Sequence, residues 1–115
     1  PERLLLAGFS QGGAIALSAA LRRRQPLAGV IALSTYLPGF DAARRHLDAA
    51  ATRQPVFMAH GIGDPVIPFV HAERSAQALR DMGFAVDWHR YPMAHQVCAE
   101  EIRDLGDWMS RVFAL

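Results

Sequence analysis

The chain has 115 residues and a formal net charge of +1, from 12 Lys and Arg against 11 Asp and Glu. With 51% hydrophobic and 20% charged residues, it has the composition of one folded domain, and neither disorder nor a multidomain machine is expected. The balanced charge argues against a nucleic-acid partner, since the only basic run, Arg22, Arg23 and Arg24, carries no interleaved aromatics. One cysteine, Cys98, excludes an internal disulfide framework and a multi-cysteine metal site. No apolar stretch approaches the roughly 18 residues of a membrane span, so stable membrane insertion is not expected.

Taken in order, residues 3–9 form a short apolar run closed by glycine, the pattern of a strand buried on both faces. Its third residue already opens a strand, and Pro1, Glu2 and Arg3 show no signal peptide, so further chain is expected upstream. Residues 11–24 read as a helix with Ala14, Ile15, Leu17, Ser18 and Leu21 on its apolar stripe, stopped by Pro26. Residues 28–33 are a second buried strand. A loop at 36–40 precedes a short helix at 41–51, with Asp41 as its cap. Residues 55–59 are a third strand, followed by a turn-rich loop at 60–65. A helix spans 68–82, with Pro near its start and Gly83 past its end. Residues 84–91 are a fourth, more exposed strand. The last helix covers 97–113, with Cys98, Ile102, Leu105, Met109 and Val112 at spacings of three and four.

Four strand–helix units imply an α/β domain over residues 1–115: four parallel strands with crossover helices on both faces. The first strand is too apolar for an edge strand.

Gly8-Phe9-Ser10-Gln11-Gly12 has the form G-x-S-x-G and sits between a predicted strand and a predicted helix. A sharp turn there would hold Ser10 in a strained conformation and project its Oγ above the sheet edge. Gly8 and Gly12, without Cβ atoms, would let strand and helix approach, and Gly13 suits packing of the helix on the sheet. The Gln11 N–H would face a developing oxyanion. A glycine-rich helix cap is the plainer reading of these residues. A nucleophilic serine needs a base and an orienting acid, in the order Ser, acid, His after successive strands. Asp64 follows the third strand and His95 the fourth, and parallel strands deliver both to the same edge. A turn residue before Pro65 is the plainer reading of Asp64. Asp41, Asp48, Asp87, Asp104, Asp107, Glu100 and Glu101 fall on caps, strands or helix faces. His46 and His71 fall on helices and His89 inside a strand. His60 lies near the edge, as the reserve base or as a support for Asp64. No H-E-x-x-H or acid–His cluster suggests a metal, and no P-loop or G-x-G-x-x-G follows a strand. Phe9, Tyr36, Leu37, Ile62, Val66 and Met93, with Phe40, would line an apolar acyl groove. No Arg or Lys stands beside the three candidates in sequence, which weighs against a strongly anionic acyl chain.

Four segments carry a resemblance. They are the runs 6–14 around Ser10, 32–38 after the second strand, 60–68 around Asp64 and 91–97 around His95. Through them the chain resembles the carboxylesterase/acyl-protein thioesterase (phospholipase/carboxylesterase) family of the alpha/beta-hydrolase superfamily. The resemblance implies a serine hydrolase acting without cofactors, with Ser10 as nucleophile, Asp64 as acid, His95 as base and Gln11 as one oxyanion donor. It implies short-to-medium-chain esters, thioesters or lysophospholipids as substrates, a cytoplasmic location and, in some members, a homodimer. The family's histidine loop often carries Gly where Ala94 stands. Family members are nearly twice as long and begin with further strands and a His-Gly loop that supplies the second oxyanion donor. Nothing here matches that half. The chain is therefore expected to be the C-terminal half, associating with an N-terminal half. An inactive remnant that only binds or assembles is the alternative.

Overall fold

The protein folds as four strands, each followed by a helix, in a computed structural model that describes residues 3–114. Pro1 and Glu2, read above as a start without a leader, lie outside the described residues. Strands β1 (Leu5–Phe9), β2 (Gly29–Leu33), β3 (Val56–Gly61) and β4 (Val86–Tyr91) pair in parallel in that order. The helices are α1 (Gln11–Leu21), α2 (Phe40–His46), α3 (Phe69–Asp81) and α4 (Ala99–Phe113).

β2 and β3 read as unbroken apolar runs because both their faces are covered. Successive side chains point to opposite faces. Val30, Ala32, Val56 and Met58 meet Leu17 and Leu21 of α1 and Leu79 of α3 in one core. Ile31, Phe57 and Ala59 meet Trp108 of α4 in the other. Helices thus cover both faces, as expected. The connecting helices α1 and α3 share one face, and among the described residues the last helix, α4, covers the other. The order β1-β2-β3-β4 always steps the same way, and successive right-handed crossovers taken in one direction keep to one side.

The helix expected over 41–51 is also corrected. α2 ends at His46, Leu47 is extended, and a 3-10 turn follows at Ala49–Arg53. Asp48 causes the break: its Oδ1 accepts the Ala50 N–H at 2.9 Å, offering the backbone an alternative to the helix. Gly39, not Asp41, is the N-cap of α2, and Asp41 pairs with Arg44 on the surface at 3.4 Å. Two stripe residues are displaced as well: Ile15 and Ile102 face outward. On α4 Cys98, Leu105, Met109 and Val112 pack against the core as expected, beside the buried Glu101 and Trp108. β1 stands at one side of the sheet with only β2 beside it among the described residues.

Candidate active site

The loops after four parallel strands leave one edge of the sheet together. Ser10 stands between β1 and α1 with φ 57° and ψ −123°, a conformation that L-residues other than glycine rarely adopt and that costs about 1–3 kcal/mol. Bonds to β2 and its loop hold it there. The Ser10 N–H donates to the Leu33 carbonyl at 2.9 Å, and the Ser10 carbonyl accepts the Thr35 hydroxyl at 2.6 Å. A Cβ on Gly8 would overlap the Gly12 carbonyl, and one on Gly13 would run into the Thr35 side chain. The close approach therefore rests on Gly8 and Gly13. Gly12, expected to share it, faces open space. Gln11 opens α1, so its N–H has no acceptor within the helix.

His95, in the loop after β4, reaches back across the edge. Its Nδ1 lies 2.7 Å from Asp64 Oδ2 and its Nε2 lies 2.9 Å from Ser10 Oγ. Because an ionised carboxylate only accepts, Nδ1 carries the proton and donates to Asp64. Nε2 is then free to accept the Ser10 hydroxyl proton. The Phe9 ring, 4.9 Å from the imidazole centroid to centroid, braces it from one side. Asp64 is buried. Burial alone would push its carboxyl up, but the Ile67 N–H, the His95 bond and the Val66 N–H together hold it below the usual carboxylate value. Both of those N–H groups donate to Oδ1 at 2.8 Å. His60, the reserve base, does not approach Ser10. It is fully buried, its Nε2 donates to the Ile67 carbonyl at 2.8 Å, and it stands 3.4 Å from Asp64 Oδ2, so it braces the acid loop.

The other candidates stay apart from this line. His89 stacks on Phe57 at 4.8 Å and lies 3.1 Å from Asp87 on the α4 face. Tyr91 donates to Asp104 at 2.6 Å, and burial and that carboxylate raise its phenol pKa far above the ordinary value. Among the described residues no group of three or more His, Cys, Asp and Glu is placed to hold a metal ion, and no helix is long and apolar enough to cross a membrane.

The sequence matches the model of the family described as phospholipase/carboxylesterase over residues 1–113. The chain belongs to this family. It is 41% identical over 118 residues to acyl-protein thioesterase 1 of Mycosarcoma maydis, covering 96% of this chain and 48% of that one. It is 31% identical over 110 residues to a probable carboxylesterase of Oryza sativa subsp. japonica, covering 95% and 41%. Its fold matches the crystal structure of Arabidopsis thaliana SOBER1 with a TM-score of 0.92 at 25% identity, over 98% of this chain and 54% of that one. It matches that of Zea mays acyl-protein thioesterase 2 with a TM-score of 0.86 at 26% identity, over 96% and 56%. The fold is that of the alpha/beta-hydrolases. The chain spans about half the length of the curated relatives it matches.

In this chain a cavity of about 340 Å³ opens between the loop after β2 and the acid loop, with α3 as its far wall. Of the six residues expected to line a groove, Tyr36, Leu37 and Val66 line it, and Phe40 joins them. Phe9 packs on His95 instead, and Ile62 is exposed outside the cavity. The expectation for Met93 is corrected: its side chain is buried in the core under α4, and it serves the site through its carbonyl, which accepts the Gly63 N–H at 3.1 Å. The sequence reading missed Ser34, a fully buried residue with φ 51° that turns the chain after β2 toward the cavity. It also missed Arg74, which lines the cavity from α3. Arg74 is ten positions past Asp64, in the second turn of α3, which brings it back beside the loop. A search for bases beside the candidates in sequence could not find it; projecting α3 onto its faces could.

Proposed function

We propose that this chain carries the reacting groups of a serine hydrolase that cleaves carboxylic esters through an acyl-enzyme. The acyl groups are short to medium in length, with thioesters and lysophospholipids in the same substrate class. The observation that carries this reading is the unbroken line from Ser10 Oγ through His95 to Asp64, at 2.9 and 2.7 Å. The names of the relatives, acyl-protein thioesterase and carboxylesterase, belong to the same class of chemistry.

In this mechanism His95 Nε2 takes the Ser10 proton as Oγ attacks the carbonyl carbon. Asp64 fixes the imidazole tautomer and stabilises its charged form. The Gln11 N–H donates to the oxyanion. The protonated His95 gives its proton to the leaving alcohol or thiol. Water, activated by the same nitrogen, then hydrolyses the acyl-Ser10 ester. Strain at Ser10 keeps Oγ presented, and the buried, pre-bonded Asp64 needs no rearrangement. With only β2 beside it among the described residues, β1 supports association with further strands; the family resemblance supports a second oxyanion donor from such a half and action in the cytoplasm.

The test is labelling with a fluorophosphonate, read by intact mass, beside Ser10→Ala. One adduct on the protein and none on the variant is expected. A folded protein that takes up no adduct would sink the catalytic reading and leave binding or assembly as the role.

A further inference from the structure

The cavity beside the acid loop has two unlike ends. Tyr36, Leu37 and Phe40 make one wall, and Val66, Ile67 and Pro68 the other. These walls suit an acyl chain. The α3 wall carries His71, Arg74 and Ser75. Ser75 is already satisfied: its hydroxyl donates to the His71 carbonyl and accepts the Leu37 N–H, both at 2.8 Å. His71 and Arg74 are exposed and three residues apart, so they stand on one face of the helix. Among the described residues Arg44 and Arg111 are the two arginines of twelve with a carboxylate partner, Asp41 and Asp87. Among the described residues Arg74 has no such partner, and no Asp or Glu lines the cavity. An unpaired guanidinium at the end of an apolar slot matches an amphiphile that is apolar along its length and anionic at its tip. The planar fork of Arg donates two parallel hydrogen bonds to a carboxylate.

We propose that the cavity selects acyl groups that end in a carboxylate, with Arg74, helped by His71, holding that end. This rests on the serine-hydrolase reading above, with the acyl carbonyl at Ser10 and the chain running between the two loops toward α3. It names the substrate class as half-esters and half-thioesters of medium-chain dicarboxylic acids. Arg74 acts here as a specificity determinant and takes no part in bond breaking. The cavity volume lies within the roughly 300–1,000 Å³ of small-molecule sites.

The test compares two activated esters of equal length on the purified full-length protein: 4-nitrophenyl octanoate and the mono-4-nitrophenyl ester of octanedioic acid. The ratio of their kcat/KM values is measured for the protein, Arg74→Gln and Arg74→Lys. Because the ratio is taken within each protein, a general loss of activity cancels. The protein is expected to favour the carboxylated ester. Arg74→Gln should cut that preference on the order of tenfold, chiefly through KM. Arg74→Lys should restore part of it, and raised salt should weaken it. Equal ratios in the protein and Arg74→Gln, with both esters turned over, would overturn the carboxylate assignment and leave the hydrolase reading standing. Turnover of neither ester would overturn both.

Discussion

Asp64 uses its two oxygens differently, and this makes it the most informative residue to change. Oδ1 takes two backbone N–H groups and ties the acid loop, while Oδ2 faces His95 at 2.7 Å. In Asp64→Asn the amide oxygen can keep both loop bonds, but the amide nitrogen would then meet His95 Nδ1 donor to donor. The imidazole would settle in the wrong tautomer, with Nε2 protonated and unable to accept from Ser10. The expected outcome is a fall of about 10⁴ in kcat with the fold retained. Ester hydrolysis beside far-ultraviolet circular dichroism checks it, and an Asn variant of undiminished kcat would contradict the assigned role of the acid. At this scale the sequence was legible where chemistry and topology agreed. Ser10, Asp64 and His95 are the residue types of one reaction, each placed after a strand of one parallel sheet. Met93 and Phe9 were not legible in their final places, because an apolar side chain in a loop or at a strand end can turn inward as readily as outward. Only packing under α4 decides for Met93, and only the neighbouring imidazole decides for Phe9.

Between elements, the approach of the acid loop to the histidine loop turns on Gly61, the last residue of β3. A Cβ there would overlap the carbonyls of Met93 and Ala94, both backbone atoms with little freedom to move. Gly63, two residues on, would bring its Cβ no nearer than 3.6 Å to the Met93 carbonyl. Gly61→Ala is therefore expected to cost about 1–3 kcal/mol of stability and to lower kcat by parting Asp64 from His95. Gly63→Ala should change both much less. Thermal unfolding and ester hydrolysis on the pair separate the two, and equal effects would show that loop contact is not the cause. Most elements were readable because their apolar periods are strong and Gly or Pro punctuates their ends. The helix over 41–51 failed because the break at Asp48 is made by a side chain bonding its own backbone, and the hydrophobic pattern carries no trace of it. The stripe of α4 was legible in four of its five residues, Cys98, Leu105, Met109 and Val112; Ile102 turns outward, and the buried face also takes in Glu101, a residue that an apolar count passes over.

Across the whole molecule, the parallel order and the two cores follow from the alternation of strands and helices. The side on which the crossovers run follows only once the order is known. Two buried carboxyls then set opposite limits on stability with pH. Asp64 titrates lower folded than its ordinary value of 3.8, so its contribution is present above that value and is lost as pH falls through the depressed one. Glu101 is the reverse. It is fully buried on the face of α4 that meets the sheet. Burial raises its carboxyl above the ordinary 4.5, and the Cys98 N–H and His89 offset this only in part. The folded state therefore keeps a proton that the unfolded chain releases, and stability falls as pH rises from 4.5 through the raised value. Glu101→Gln removes the ionisation while its amide oxygen can still accept the Cys98 N–H, which Glu101 Oε1 takes at 3.2 Å. The variant should be more stable than the parent at neutral pH, and the gap should close as pH drops below 4.5. Urea unfolding at a series of pH values from 3 to 8 measures this directly. Parallel stability curves for parent and variant would mean that Glu101 titrates alike in the folded and unfolded chain, and the burial argument would fail.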